Sequence, residues 1–206
     1  MRLGLVIDTK DCIGCHTCAV QCRNENNIPS NIWWNRVVTE GGAQIDTPTG
    51  QWPDNAMRYI TVSCQHCENP ACTKVCPVGA TYKDPETGVV RQDYDKCIGC
   101  RMCMAACPYT GVRSFNWDEP AYPVDCDRGA ADSPRHQKHA VEKCTLCKHR
   151  LDRELQPACV EVCPVRARHF GDLDDSDSEV SRLIREREVM QLLPEKGTSP
   201  SIYYLV

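Results

Sequence analysis

"DCIGCHTCAVQC", Asp11 to Cys22, sets four cysteines within eleven residues, and nearly the same wording returns at "KCIGCRMCMAACP", Lys96 to Pro108. Whatever Cys12, Cys15, Cys18 and Cys22 do, Cys97, Cys100, Cys103 and Cys107 are expected to do too. Working outward, sixteen of the seventeen cysteines fall into four such quartets. The second, Cys64, Cys67, Cys72 and Cys76 in "CQHCENPACTKVCP", widens its middle gap to four residues. The fourth, Cys144, Cys147, Cys159 and Cys163, keeps the C-x-x-C opening and the C-x-x-x-C-P ending but stretches the middle to eleven. Only Cys126 stands outside.

A disulfide scaffold is the plain reading of a cysteine-rich chain, and three features oppose it. The total is odd, cysteines two residues apart are poorly placed to pair with each other, and "MRLGLVIDTKDC" has no apolar signal segment, so no export signal of the chain's own is expected. The remaining composition narrows the function further. Hydrophobic residues make up 41% of 206, but that share includes the cysteines, and only two residues are Phe. Something besides aromatic packing must fill the interior. A net charge of −4 offers no basic stripe for nucleic acid, and no run of about 18 apolar residues suggests a membrane span. Neither nucleic acid nor a direct membrane span is expected.

The spacing C-x2-C-x2-C-x3-C-P is the run that holds 4Fe-4S clusters in bacterial two-cluster ferredoxins, the fourth cysteine serving the other cluster. Three thiolates on a tight loop can wrap three corners of a cube, and Gly14 or Gly99 relieves crowding where the backbone approaches it. The fourth thiol, one helical turn or roughly 6 Å further on, is free to aim at a neighbour. Pro77, Pro108 and Pro164 then turn the chain away. Zinc, held by paired C-x-x-C motifs, is the competing reading. It does not require the third cysteine so close.

If quartets exchange their last ligands in pairs, the second and third, 20 residues apart, form an inner pair and the first and fourth close around them. This assigns cluster 1 to Cys12, Cys15, Cys18 and Cys163, and cluster 2 to Cys22, Cys144, Cys147 and Cys159. Cluster 3 takes Cys64, Cys67, Cys72 and Cys107, and cluster 4 takes Cys76, Cys97, Cys100 and Cys103. The expected fold is α+β: two ferredoxin-like 4Fe-4S modules, one nested within the other, with loop and short-strand insertions. Residues 1–63 and 140–172 form the outer module, 64–108 the inner, 109–139 an irregular insertion, and 173–206 a C-terminal helix and extended docking tail.

These quartets, with "HCENPACTKVCPVGA" and "CIGCRMCMAACPY", resemble the four-cluster electron-transfer (beta) subunit of the dimethyl sulfoxide reductase and polysulfide reductase family of molybdopterin oxidoreductases. The likeness covers roughly residues 3 to 172. It implies a non-catalytic subunit with four 4Fe-4S clusters, relaying electrons between a molybdopterin-containing catalytic subunit and an integral membrane quinol-binding subunit. In some relatives, such as nitrate reductase subunits, Trp occupies the position matching Cys103 and that cluster has three irons; here four complete clusters are implied. Arg23 departs from the pattern, standing where Pro would follow Cys22. The implied location is peripheral to the cytoplasmic membrane, on the periplasmic face if co-exported with a signal-bearing partner and otherwise cytoplasmic. A polyferredoxin subunit of a soluble formate dehydrogenase or hydrogenase complex, and a zinc-stabilised interaction module, are the alternatives.

Outside the quartets, alternation in "NIWWNRVVTEGG" and "MRYITVSC" predicts strands, and "DPETG" a turn between two more. Trp33 and Trp34 are expected to pack over a core. His16 and His66 lie within cluster loops that already have four thiolates, so surface or supporting roles are expected of them. Cys126 reads as an ordinary free thiol. "DSEVSRLIREREVMQLL" predicts a helix with a Ser or Asp cap, stopped by Pro194. The apolar tail "SPSIYYLV" is expected to dock on this subunit or on its catalytic partner.

Overall fold

The computed structural model describes residues 1–42, 44–126 and 128–206. Its elements are short, and most stand directly before or after a quartet. β1 (Leu3–Asp8) leads into the first quartet, whose last two cysteines ride on α1 (Thr17–Glu25). β2 (Asn35–Thr39), the hairpin of β3 (Thr49–Gln51) and β4 (Asp54–Ala56), and β5 (Tyr59–Ser63) carry the chain to the second, which includes the single-turn α2 (Ala71–Lys74). β6 (Thr81–Lys83) and β7 (Val90–Gln92) connect it to the third, with α3 (Met102–Ala105). β8 (Arg113–Phe115) and β9 (Val141–Lys143) precede the fourth, which contains α4 (Lys148–Leu151) and α5 (Ala158–Glu161). β10 (Arg168–Asp172), α6 (Glu179–Glu186), β11 (Val189–Met190) and β12 (Ile202–Leu205) complete it.

The main sheet runs β10-β1-β12-β11, β1 lying antiparallel to β10 and parallel to β12. Both its faces are covered, which is why "LGLVID" reads as an almost unbroken apolar run rather than an alternation. Leu5, Ile7, Ile202 and Tyr204 face a core with Ile60, Val89, Leu146 and Val160. Val6 and Leu205 face Val180 and its neighbours on α6. The tail thus docks on its own subunit, where Tyr204 Oη donates to the carbonyl of Thr61 at 2.9 Å.

Four two-stranded ladders surround this sheet: β2 with β5, β3 with β4, β6 with β7, and β8 with β9. The predicted strands around "NRVVT" and "YITVS" pair with each other, and Asp84 to Gly88 turn between β6 and β7. Trp34 is buried, and Arg23 lies over the ring of Trp33 at 4.4 Å.

Two expectations need correction. The segment 109–139 is not wholly irregular: β8 lies inside it and pairs with β9, so the excursion starts and ends on one ladder. The C-terminal helix is also shorter than its periodicity suggests. Ser178 caps it, its Oγ accepting from the amide of Ser181 at 3.2 Å, but it ends at Glu186, well before Pro194. Arg187 is already extended and donates to Asp8 Oδ2 at 2.6 Å, and β11 pairs with the tail. A sheet position outcompetes the last helical turn.

Candidate metal centres

Each quartet is built by the same local device. In all four C-x-x-C loops the third residue takes a left-handed backbone: Gly14 at φ +68°, His66 at +42°, Gly99 at +68° and Leu146 at +56°. That reversal, which in the fourth loop extends to Cys147 at φ +51°, turns the second thiol back toward the first. A short helix then begins and carries the third cysteine: Cys18 on α1, Cys72 on α2, Cys103 on α3, Cys159 on α5. Where proline follows the fourth cysteine, the helix ends before it. Where Arg23 replaces proline, α1 runs on to Glu25.

All seventeen cysteines are free. The structure brings Cys12, Cys15, Cys18 and Cys163 together around one pocket. Cys22, Cys144, Cys147 and Cys159 line a second, and Cys76, Cys97, Cys100 and Cys103 a third. Cys64, Cys67, Cys72 and Cys107 also gather: Cys67 and Cys107 pack with Tyr109 and Val112. Burial foremost, with Cys64 and Cys72 close by, pushes the thiols of Cys67 and Cys107 up to about 11. Each gathering unites three cysteines of one quartet with one of another. Among the described residues no three His, Cys, Asp or Glu side chains converge on a single-ion site. Cys126 is exposed and apart.

The gatherings form a series. Cys18 neighbours Cys159, linking the first set to the second, and Cys144 neighbours Cys64, linking the second to the third. Cys72 and Cys103 share an apolar cluster with Val90 and Val141, linking the third to the fourth. Cys15 and Cys100, at the two ends, are exposed, while Cys64, Cys67, Cys72 and Cys147 in the middle are buried.

Donors converge on the sulfurs. The amide of Ala167 reaches Cys163 Sγ at 3.3 Å, that of Thr81 reaches Cys76 Sγ at 3.4 Å, and that of Leu146 reaches Cys144 Sγ at 3.4 Å. Asn26, placed by the extra length of α1, directs Nδ2 at both Cys22 and Cys147 Sγ, 3.9 Å from each. His66 is buried, and burial foremost, then Lys143 and Arg113, hold its imidazole well below the usual range. His16 is half-buried beside Asp46. His16 also lines the first set's pocket, whereas His66 lines none of the three cysteine pockets.

Sequence reasoning missed Asn26, Arg113, Lys143 and Arg168. The last three are buried basic side chains, and among the described residues none of them pairs with a carboxylate; burial foremost, with Cys64 opposing it, holds the Lys143 ammonium below its ordinary value. Arg113 Nη2 and Arg168 Nε have no hydrogen-bond partner. Desolvation works against the charge of both guanidiniums. The facing thiolates outweigh it, chiefly Cys72 for Arg113 and Cys159 for Arg168, and hold both above the ordinary value. A buried cation needs a buried anion. Four thiolates around an iron-sulfur core leave a net negative centre, so this donor set and these orphaned cations fit such a group. A signal existed: Arg168 stands five residues after Cys163, Arg113 six after Cys107, and Lys143 directly before Cys144.

Comparison with known proteins finds a 4Fe-4S family and iron-sulfur relatives. The 4Fe-4S dicluster domain family matches residues 55–131 and 130–173. The chain is 54% identical to a Halobacterium salinarum protein described as a dimethyl sulfoxide reductase iron-sulfur subunit, over 98% of this chain and 78% of that one. It is 41% identical to the arsenate respiratory reductase iron-sulfur subunit ArrB of a Shewanella species, over 100% of this chain and 96% of the other. To the menaquinone reductase iron-sulfur cluster-binding subunit of Nitratidesulfovibrio vulgaris it is 36% identical, over 100% and 89%.

Proposed function

Because the chain belongs to the 4Fe-4S dicluster family of oxidoreductase iron-sulfur subunits, we propose that it is the electron-relay subunit of a complex, placed between a molybdopterin catalytic subunit and a membrane quinol-binding subunit. The likeness to a menaquinone reductase subunit favours the quinone-linked reading over a free-standing polyferredoxin. Bound 4Fe-4S clusters supply one-electron chemistry; the chain supplies ligands, spacing and local charge. The ligand sets are Cys12, Cys15, Cys18 and Cys163; Cys22, Cys144, Cys147 and Cys159; Cys64, Cys67, Cys72 and Cys107; and Cys76, Cys97, Cys100 and Cys103. Two ferredoxin-like modules, the inner nested in the outer, account for why every set draws its fourth cysteine from a remote quartet. Among the described residues no helix is long and apolar enough to cross a membrane. The location proposed is peripheral to the cytoplasmic membrane and held there by the partner, on the periplasmic face when exported with a signal-bearing partner and otherwise on the cytoplasmic face.

One observation carries the reading: four cysteine sets stand in series, with an exposed cysteine at each end and buried ones between. Exposed apolar side chains flank each end, Ile13 and Val20 near Cys15, and Ile98, Met102 and Trp117 near Cys100. The first set faces the catalytic subunit and the fourth the membrane subunit. Iron and zinc analysis of anaerobically purified protein tests the reading, together with an EPR spectrum after reduction. About sixteen irons with overlapping, spin-coupled signals are expected. Abundant zinc without a reducible centre would overturn it. Cys103→Ser tests the order: quinol-linked turnover falls while activity with artificial donors persists, and the reverse result refutes the placement.

A further inference from the structure

Resting on that reading, we infer that Arg168, Lys143 and Arg113 form a series of fixed charges, one in each gap between successive cysteine sets, that raise the reduction potentials of the centres on either side. Arg168 lines the pockets of both the first and the second set. Its Nη2 lies 3.5 Å from Cys159 Sγ, and its Nη1 donates to Thr61 Oγ1 at 2.6 Å. Lys143 stands between the second and third sets, its Nζ donating to the carbonyls of Cys144, at 2.9 Å, and Val90. Val90 itself packs against Cys72. Arg113 stands between the third and fourth: Nη1 is 3.4 Å from Gln92 Oε1, and Gln92 lines the fourth set's pocket.

Placement of these residues makes little sense as scaffolding. Arg113 and Lys143 are register partners on the β8–β9 ladder, where like charges oppose pairing. Both are buried, so water does not screen them. Their anchors are carbonyl, hydroxyl and amide oxygens, which fix position without cancelling charge. What remains uncancelled points at sulfur. Adding an electron to a centre adds one negative charge, and an unscreened cation beside it favours the reduced form. A cation shared by two neighbours raises both together, which keeps the step between them small.

The test uses the assembled complex, anaerobically purified, with iron counted in every variant and each centre's potential followed by EPR. Arg168→Gln is expected to lower the reduction equilibrium of the two outer centres roughly tenfold, about 59 mV for one electron, and to leave the inner two unchanged. Arg113→Gln should do the converse, and Lys143→Gln should affect the two centres it separates. Arg168→Lys restores most of the loss. Thr61→Val, which removes only the anchor, gives a smaller shift of the same sign in the outer pair. Unchanged potentials, or an equal shift at all four centres with iron retained, overturn the inference. Should Arg168→Gln lose iron, Thr61→Val decides alone: outer-pair potentials identical to those of the unaltered chain overturn it. Absence of reducible iron in the unaltered complex would instead be a failure of the electron-relay reading.

Discussion

The two C-I-G-C loops and the two glycine-free loops, C-Q-H-C and C-T-L-C, adopt one backbone turn and present it to opposite surroundings. Gly14 and Gly99 make the turn where Ile13 and Ile98 are exposed; His66 and Leu146 make it with side chains only 1% and 2% exposed. A left-handed residue with a side chain costs roughly 1–2 kcal/mol. At the ends of the series a Cβ would run into the Tyr59 ring or the His139 carbonyl, so glycine stands there. In the middle the side chain fills the core, and burial of a leucine contributes about 1.5–3 kcal/mol. The same turn therefore appears as two sequence signatures, and which one is used reports whether the loop faces outward or inward.

Leu146 is the place to break this comparison. It packs in the main core with Leu5, Ile7 and Tyr204, so Leu146→Ala should destabilise the protein by about 2–5 kcal/mol. Leu146→Gly carries the sharper expectation. In ordinary backbone glycine is worse than alanine by roughly 0.5–1 kcal/mol; at φ +56° the left-handed strain is released, and the order should invert. Anaerobic unfolding of the two variants side by side measures it. If glycine proves the worse of the two, packing has not been offsetting backbone strain.

Gly99 and Gly14 come next. A Cβ on Gly99 would stand 2.5 Å from the carbonyl oxygen of His139, which belongs to the backbone leading into β9. A Cβ on Gly14 would instead meet the ring of Tyr59 at 2.4 Å, a side chain that can swing aside. Gly99→Ala should therefore cost the common strain of about 1–2 kcal/mol plus a backbone displacement, and should loosen iron at the fourth set. Gly14→Ala should cost little more than the strain itself. Iron retention after gel filtration, read alongside unfolding, separates them. Equal losses would mean that the obstacle beyond the turn is irrelevant.

This pair of signatures also explains what could be read without coordinates. The quartets were legible because a metal-binding loop constrains spacing directly. So were β2, β5 and the turn at Asp84 to Gly88, where alternation and turn residues coincide. The tail "SIYYLV" was legible as something that docks, but not as the strand beside β1, since its partners lie nearly 200 residues away in the chain. Helix α6 was overdrawn because Val189 and Met190 keep helical spacing while a strand recruits them. Arg113, Lys143 and Arg168 sit on strands of three to five residues, where a charged side chain reads as solvated. Only their offsets from the cysteines hinted otherwise.

The smallest expected effect on stability tests the outward half of the comparison. Ile13 and Ile98 are 59% and 62% exposed, each one residue before the glycine of its loop. An exposed side chain away from caps and core changes stability by no more than about 0.5 kcal/mol, so Ile13→Ser and Ile98→Ser should unfold as the unaltered chain does. Their iron content should be unchanged, because the cysteines and the left-handed turn remain. Assembly is where they should differ. If the two ends face different partners, Ile13→Ser weakens association with the catalytic subunit and Ile98→Ser with the membrane subunit, each without affecting the other contact. Pull-down of each partner against both variants reads this directly. Loss of both contacts in either variant would mean that the loops share one interface, and the assignment of an entry and an exit to opposite ends of the series would fail.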